Sequence, residues 1–350
     1  AFGLGNYYYN LKRHEDAIEV WEKAANANCT YGTLYRNLGI AYWNTLSLGE
    51  KARQSFLKAI EHSPDDLRIR YEYDQLRKKL NDSPEKRLES LEGIKELISK
   101  RDDFSVELAA LYNFNGRYEE ALIMLQNRNF HPWEGGEGQV LKQYTHACLK
   151  LGQLALQNRD AKTALDYFEQ SIKTPDNLGE KYHPLQAVAH INYWKGKAYK
   201  ALGQYQDASD HFIESINEEG DFIDMAVSAY SELSYYKALA LKEMDDQEQA
   251  RKLLKEIKRF GEAKLKEKAH IDYFATSLPL LLVFEDDLGK RNAFEAKYLI
   301  ALAECGLGDH ASAESMFEEV LRLNAMHVGA KVMRNSIKMS KKVAGHSVNL

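Results

Sequence analysis

Small and bulky apolar residues return along this chain at fixed distances. Gly5, Tyr8, Ala17 and Trp21 set a frame with offsets of 3, 12 and 16 from the glycine. The frame recurs at Gly152, Ala155, Ala164 and Phe168, and again at Gly196, Tyr199, Ala208 and Phe212. With alanine in the glycine slot it fits Ala109, Tyr112, Ala121 and Leu125, and also Ala238, Leu241, Ala250 and Leu254. Ala301, Glu304, Ala313 and Phe317 form a copy in which Glu304 breaks the aromatic slot. Gly39, Tyr42, Ala52 and Phe56 form one with an extra residue in the turn. Residues four apart share a helical face, so each copy predicts a pair of helices. The small residue lets the second helix approach, the alanine is its counterpart, and the bulky residue one turn later fills the seam. Asn115-Gly116-Arg117, Gly203-Gln204, Gly308-Asp309 and the stretch from Asn10 to His14 supply the reversals. Such a pair cannot bury its apolar face alone, so neighbours must stack.

The distance between anchors divides the chain. It is 34 from Gly5 to Gly39, then 43 from Ala109 to Gly152, 44 to Gly196, 42 to Ala238 and 63 to Ala301. An imperfect unit is anchored near Asp74, with Tyr71, Tyr73, Leu76 and Leu80 on one helix. Its second helix, after Ser83-Pro84, carries Leu88, Leu91, Ile94 and Leu97. We therefore expect N-terminal repeats over 1–101, the third degenerate, and central repeats over 102–262 with long joins at 129–138 and 174–184. Extra inserted helices are expected over 263–288, one around Ala263 to Phe274 and a short one after Pro279. A last repeat and a polar capping helix from Val328 to Lys342 fill 289–350.

The fragments "NLGIAYW", "RYEEALIML", "KAYKALGQYQDASDHF" and "GLGDHASAESMFEEVL" resemble the tetratricopeptide-repeat (TPR) family over roughly residues 1–326. The expected fold is all-α, a right-handed α-solenoid of stacked antiparallel helix pairs. The resemblance implies that the first helix of each repeat faces a concave groove. "HPWEGGEG", "PDNLGEKY", "DYFATSLP" and "FEDDLGKRN" are also similar to the C-terminal repeat array of large bacterial proteins. In these an uncharacterised β-rich region, related to sugar-processing folds, precedes the repeats. That likeness implies an upstream partner domain in the same polypeptide and a carbohydrate-related role.

Composition narrows the picture. Hydrophobic residues make up 44% and charged residues 28%, and there are 6 prolines, which favours long helices. The longest apolar run, Leu278 to Phe284, is far below the ~20 residues that cross a bilayer. With 47 basic and 52 acidic residues the net charge is −5, which does not favour nucleic acid. The basic stretch from Arg251 to Lys268 alternates with Glu256, Glu262 and Glu267, as a solvated helix face does. Cys29, Cys148 and Cys305 are too few and too far apart for a disulfide framework or a metal site. They are expected as free thiols, in keeping with a cytoplasmic location. The sequence opens Ala1-Phe2-Gly3 without an initiator methionine, so a longer parent chain is expected.

Exposed positions on the first helices give the groove candidates Asn6, Tyr9, Arg36, Trp43, His146, His190, Tyr193, Lys197, Lys200, Tyr235 and Tyr298. Aromatics interleaved with basic and amide groups suit an extended peptide. The resemblance also invites comparison with the family's carboxylate clamp. Asn6, Asn37 and Arg68 fall in matching slots, whereas Phe2 and Glu72 replace two of its cations, which argues against chaperone-tail binding.

Both long joins emerge on one edge of a stacked array, about 10 Å apart at the spacing of packed helices. They carry His131, Trp133, Glu134 and Glu137, then Asp176, Asn177, Glu180, Tyr182 and His183. Aromatic planes beside carboxylates suit sugar recognition or acid–base work on a glycoside, and the histidines suit a metal. The plainer reading is that these residues shape a long connection. No nucleotide, hydrolase or metalloprotease motif is present, and no cofactor, metal or catalytic residue is expected. The favoured function is a non-enzymatic scaffold binding a peptide or partner domain in its groove. The alternative is the helical accessory half of a carbohydrate-active protein.

Overall fold

The computed structural model describes residues 1–133, 135–182, 186–218, 221–223, 226–267 and 283–347. The described residues form an α-solenoid of antiparallel helix pairs. α1 (Phe2–Asn10) pairs with α2 (His14–Asn26), α3 (Gly32–Asn44) with α4 (Gly49–His62), and α5 (Leu67–Lys79) with α6 (Pro84–Glu92). A single turn, α7 (Lys95–Ile98), follows. α8 (Asp102–Phe114) then pairs with α9 (Tyr118–Gln126), α10 (Gln139–Gln157) with α11 (Ala161–Gln170), and α12 (Ala189–Ala201) with α13 (Tyr205–Asn217). α14 (Glu232–Glu243) pairs with α15 (Gln247–Lys264), α16 (Leu288–Leu307) with α17 (His310–Leu323), and α18 (Val328–Ser347) ends the array. One departure from helix is a small antiparallel hairpin, Asp221–Ile223 with Ala226–Ser228, in which Phe222 stands opposite Val227.

Each pair reverses in the same way. One residue adopts positive φ in every intra-pair turn: Lys12, Ser47, Asn81, Gly116, Arg159, Gly203, Asp245 and Gly308. The next residue's N–H then reaches back to a carbonyl inside the first helix, as from Arg13 to Tyr8, Arg117 to Tyr112, Asp160 to Ala155 and Gln204 to Tyr199. This is a Schellman closure, which satisfies helix-end carbonyls through one left-handed residue. Those acceptors occupy the second slot of the sequence frame. Asp160, Asp246 and Asp309 then cap the following helices by accepting from Thr163, Gln249 and Ser312 N–H groups.

The seams are built as the frame predicts. A β-carbon at Gly5 would meet the Trp21 ring, at Gly39 the Phe56 ring and at Gly152 the Phe168 ring. In the third pair the small–alanine contact is replaced. Asp74 and Arg87 stand 13 residues apart, as Gly39 and Ala52 do. Arg87 is fully buried and donates to Asp74 through Nε at 3.0 Å and Nη2 at 2.6 Å. The degenerate repeat thus closes on a buried ion pair.

The chain forms two compact units. Unit 1 holds Ala1–Ser105 and, of the later described residues, 283–286; the remaining described residues form unit 2. The core of unit 1 gathers Trp21, Leu34, Tyr35, Leu38, Phe56, Ile69, Leu76 and Phe284. In unit 2 the terminal helix meets the first one. Lys331 Nζ donates to the Phe114 carbonyl at 2.9 Å and lies 3.7 Å above the Phe114 ring. Of the expected inserted helices, Ala263 belongs to the end of α15, 283–287 carry no helix, and 268–282 lie outside the described residues.

Candidate functional site

In unit 1 the first helices of the three pairs are α1, α3 and α5. Arg36, Asn37, Ile40, Trp43 and Asn44 share one face of α3, at spacings of three, four and seven or eight. A polar chain crosses all three helices at its middle. Asn37 Nδ2 donates to Asn6 Oδ1 at 3.0 Å, and Arg36 Nη1 to Asn37 Oδ1 at 3.1 Å. Arg36 also grips both oxygens of Glu72 at 2.5 Å, and Arg68 Nε adds a third bond at 3.0 Å. Glu72 is buried, with 4% of its side chain exposed, so the two guanidinium groups compensate a carboxylate largely removed from water. The carboxylate that replaces a clamp cation therefore ties up Arg36.

Beside this chain lies a cavity of about 280 Å³ lined by Asn6, Tyr9, Arg36, Asn37, Ile40 and Trp21. Three groove candidates, Asn6, Tyr9 and Arg36, are brought together there. Tyr9 stacks on His14 with ring centroids 4.5 Å apart. Burial pushes its phenol upward, while Asn44 and Arg36 pull it down and the Glu285 charge adds to the rise.

The C-terminal end of α3 is covered by residues 283–286. The stretch bends at Val283 and Phe284 and is irregular at Glu285 and Asp286. Asn44 Nδ2 donates to the Val283 carbonyl at 2.9 Å, and Asn44 Oδ1 accepts from the Glu285 N–H at 2.9 Å. Trp43 Nε1 donates to the Glu285 carbonyl at 3.4 Å. Phe284 is 3% exposed, its ring centroid 5.8 Å from Phe56 and 6.3 Å edge-on from Trp43, with Tyr73 in the same cluster. Lys79 pairs with Asp286. Of these residues the sequence reading named only Trp43 as a groove candidate; the other signals were the apolar run ending at Phe284 and the acids after it.

Unit 2 treats its groove candidates differently. Tyr193, Tyr235 and Tyr298 are 8%, 6% and 6% exposed, which puts them in the core rather than on an open groove. Tyr193 packs on Phe212 and Tyr236, the Tyr235 hydroxyl meets Cys305 Sγ at 3.9 Å, and Tyr298 lies between Phe317 and His327. Lys197 and Lys200 both bond Glu243, at 2.5 and 2.7 Å, so their charge is balanced locally.

His146 and His190 are half-buried, with Nε2 and Nδ1 respectively lacking a hydrogen-bond partner. Burial, reinforced by Lys150, Lys142 and His190, pushes His146 down to about 3, and burial takes His190 down to about 4. Just ahead of α18, His327 Nδ1 accepts from the Ala330 N–H and so caps the helix in its neutral form; burial first holds it down to about 4. Lys150 falls to about 8 through burial, although Glu232 opposes the drop, and burial raises Glu232 in turn.

The two long joins are knitted to each other. Asn177 Nδ2 donates to the carbonyls of Leu125 and Arg128 at 2.9 and 2.6 Å, closing the end of α9. Its own carbonyl accepts from the Phe130 N–H at 2.8 Å. Glu180 accepts from the N–H groups of Gly138 and Leu141 at 2.7 and 2.8 Å, capping α10. Tyr182 packs against the Leu149–Phe168 cluster, Gly136 lies against the half-buried Trp133 ring, and Asp176 pairs with Lys181 on the surface. His131 and Glu137 are exposed, and Glu134 and His183 lie outside the described residues. Among the described residues no cluster of histidine, cysteine, aspartate and glutamate could hold a metal, and no helix is long and apolar enough to cross a membrane. Cys148 is buried, Cys29 and Cys305 are half-buried, and all three thiols are free.

Residues 189–221, which include the α12–α13 pair, match the tetratricopeptide repeat model. Among solved structures the chain is similar to the MamA protein at 17% identity, over 54% of this chain and 91% of that one, with a TM-score of 0.38. It is similar to YrrB, described as a TPR protein with an unusual peptide-binding site, at 16% identity, over 58% and 90% of the two chains, with a TM-score of 0.32. A chain of the Naa15/Naa10 complex bound to HypK-THB aligns at 15% identity over 96% of this chain and 54% of that one, with a TM-score of 0.41.

Proposed function

We infer that this chain is a protein-interaction scaffold and that its first unit holds a peptide segment across the C-terminal ends of α3 and α5. The observation that carries this reading is the Asn44 side chain. Its amide nitrogen donates to the carbonyl of Val283 and its oxygen accepts from the N–H of Glu285, the groups flanking a single residue. A contact of this kind fixes the path of a backbone whatever side chains that backbone bears, and neighbouring pockets then supply selectivity. The TPR match over one helix pair, and the stacking of such pairs, are in keeping with a scaffold.

A displayed library of unstructured peptides tests the reading. Peptides enriched on the wild-type chain should lose binding on Asn44→Ala and on Trp43→Ala, with helix content unchanged by circular dichroism. Enrichment indifferent to both substitutions would remove the groove from the account.

A further inference from the structure

The stretch 283–286 reaches unit 1 from far along the chain, and its contacts divide by chemistry. Backbone groups of Val283 and Glu285 are read by Asn44 and Trp43, and the half-buried Val283 side chain packs against the unit 1 core. The Phe284 ring fills a slot among Phe56, Trp43 and Tyr73. The Asp286 carboxylate meets Lys79. Glu285 contributes its backbone, and its exposed side chain bears on Tyr9 by charge. Tyr9 also lines the neighbouring cavity, so that cavity adjoins the bound stretch.

We propose that this groove recognises an aliphatic–aromatic–any–acidic peptide motif, and that residues 283–286 are its intramolecular occupant, displaced when a partner presents the same motif. This rests on the peptide-groove reading above. The aromatic position is specified by burial, since leaving the slot empty exposes the Phe56 and Trp43 rings. The acidic position is specified by Lys79, whose ammonium would otherwise have no carboxylate opposite it in the bound stretch. A tethered segment acts at an effective concentration on the order of millimolar. A short free peptide making the same contacts therefore competes poorly. A partner gains by extending past Tyr9 into the cavity beside Asn6 and Asn37, which residues 283–286 do not line.

The test uses the full chain and a fluorescein-labelled peptide of sequence LVFEDD, read by anisotropy. The wild-type chain should bind it weakly, and the double variant Phe284→Ala/Asp286→Ala should bind it about tenfold or more tightly. Adding Asn44→Ala and Lys79→Ala to that variant should abolish the gain. Equal, groove-dependent affinity for wild type and segment variant would overturn self-occupancy while leaving the peptide groove standing. No binding to a folded segment variant would overturn the motif, and the library selection then decides the groove separately. Should the double variant fail to fold, Asp286→Lys keeps Phe284 in place and sets two cations against each other; it should raise peptide affinity several-fold, and an unchanged affinity would overturn the proposal.

Discussion

Gly196 lies flat against the ring of Phe212, so closely that a β-carbon there would stand 2.6 Å from Cε1. Gly5, Gly39 and Gly152 have the same relation to Trp21, Phe56 and Phe168. Overpacking of a seam costs ~1–3 kcal/mol, and more where backbone must shift. Gly196→Val should therefore lower the denaturation midpoint clearly, whereas Gly3→Ala, which meets nothing within 4 Å, should leave it unchanged or raise it slightly. Equal effects of the two would contradict the seam.

The turns offer a gain of the opposite sign. Arg159 holds φ at 64° in the reversal between α10 and α11, at an exposed position. A non-glycine residue costs ~1–2 kcal/mol in this region, partly offset by the greater unfolded-state freedom of glycine. Arg159→Gly should stabilise the chain by about 0.5–1 kcal/mol in chemical denaturation. A loss of stability would mean that the Arg159 side chain does more than the turn requires.

In the third pair, Arg87→Ala leaves Asp74 buried without its guanidinium. Breaking such a pair costs ~3–5 kcal/mol, whereas replacing both partners by apolar residues is often nearly neutral. Arg87→Ala should thus be far more destabilising than Asp74→Leu/Arg87→Met, as thermal denaturation would show. Additive losses in a double-mutant cycle would deny that the two act as a pair.

Three histidines of unit 2 make its stability depend on pH. His146, His190 and His327 are held at about 3, 4 and 4, well below an unfolded value near ~6.5. Between those limits the unfolded chain binds the extra protons, so stability rises with pH and is lost as pH falls. At pH ~5.5 each histidine costs about 1.4 kcal/mol. The surroundings include Lys142, Lys150, Glu232, Glu295, Tyr118 and Tyr236. Melting temperature should fall between pH ~7.5 and ~5.5, and the slope should be shallower in His146→Gln/His190→Gln. Identical slopes would place the acid sensitivity elsewhere.

The repeat frame was legible because it depends on local spacing: a small residue, an alanine and a ring recur on helices adjacent in sequence. Asp74 was legible as an anchor, but Arg87 was not, since the frame looked for apolar partners. Tyr193, Tyr235 and Tyr298 were read as groove residues, yet each stands three positions before its small anchor. Val106 and Leu149 occupy that slot in other repeats and are buried too, so the slot faces a packed neighbour. The long joins are visible as insertions between anchors, but not the use of Asn177 and Glu180 as helix caps, which follows from carbonyl and N–H groups exposed only once the ends are built. Phe284 and Asp286 escaped because their partners lie more than 200 residues away, and helical periodicity carries no information at that range.

Amide hydrogen exchange at Glu285 tests the groove most directly. Its N–H sits outside any helix, and its acceptor is Asn44 Oδ1. Protection in the wild-type chain that vanishes in Asn44→Ala, while the α3 and α4 amides stay protected, is the predicted result. Exchange at the rate of an open chain in the wild type would contradict the account.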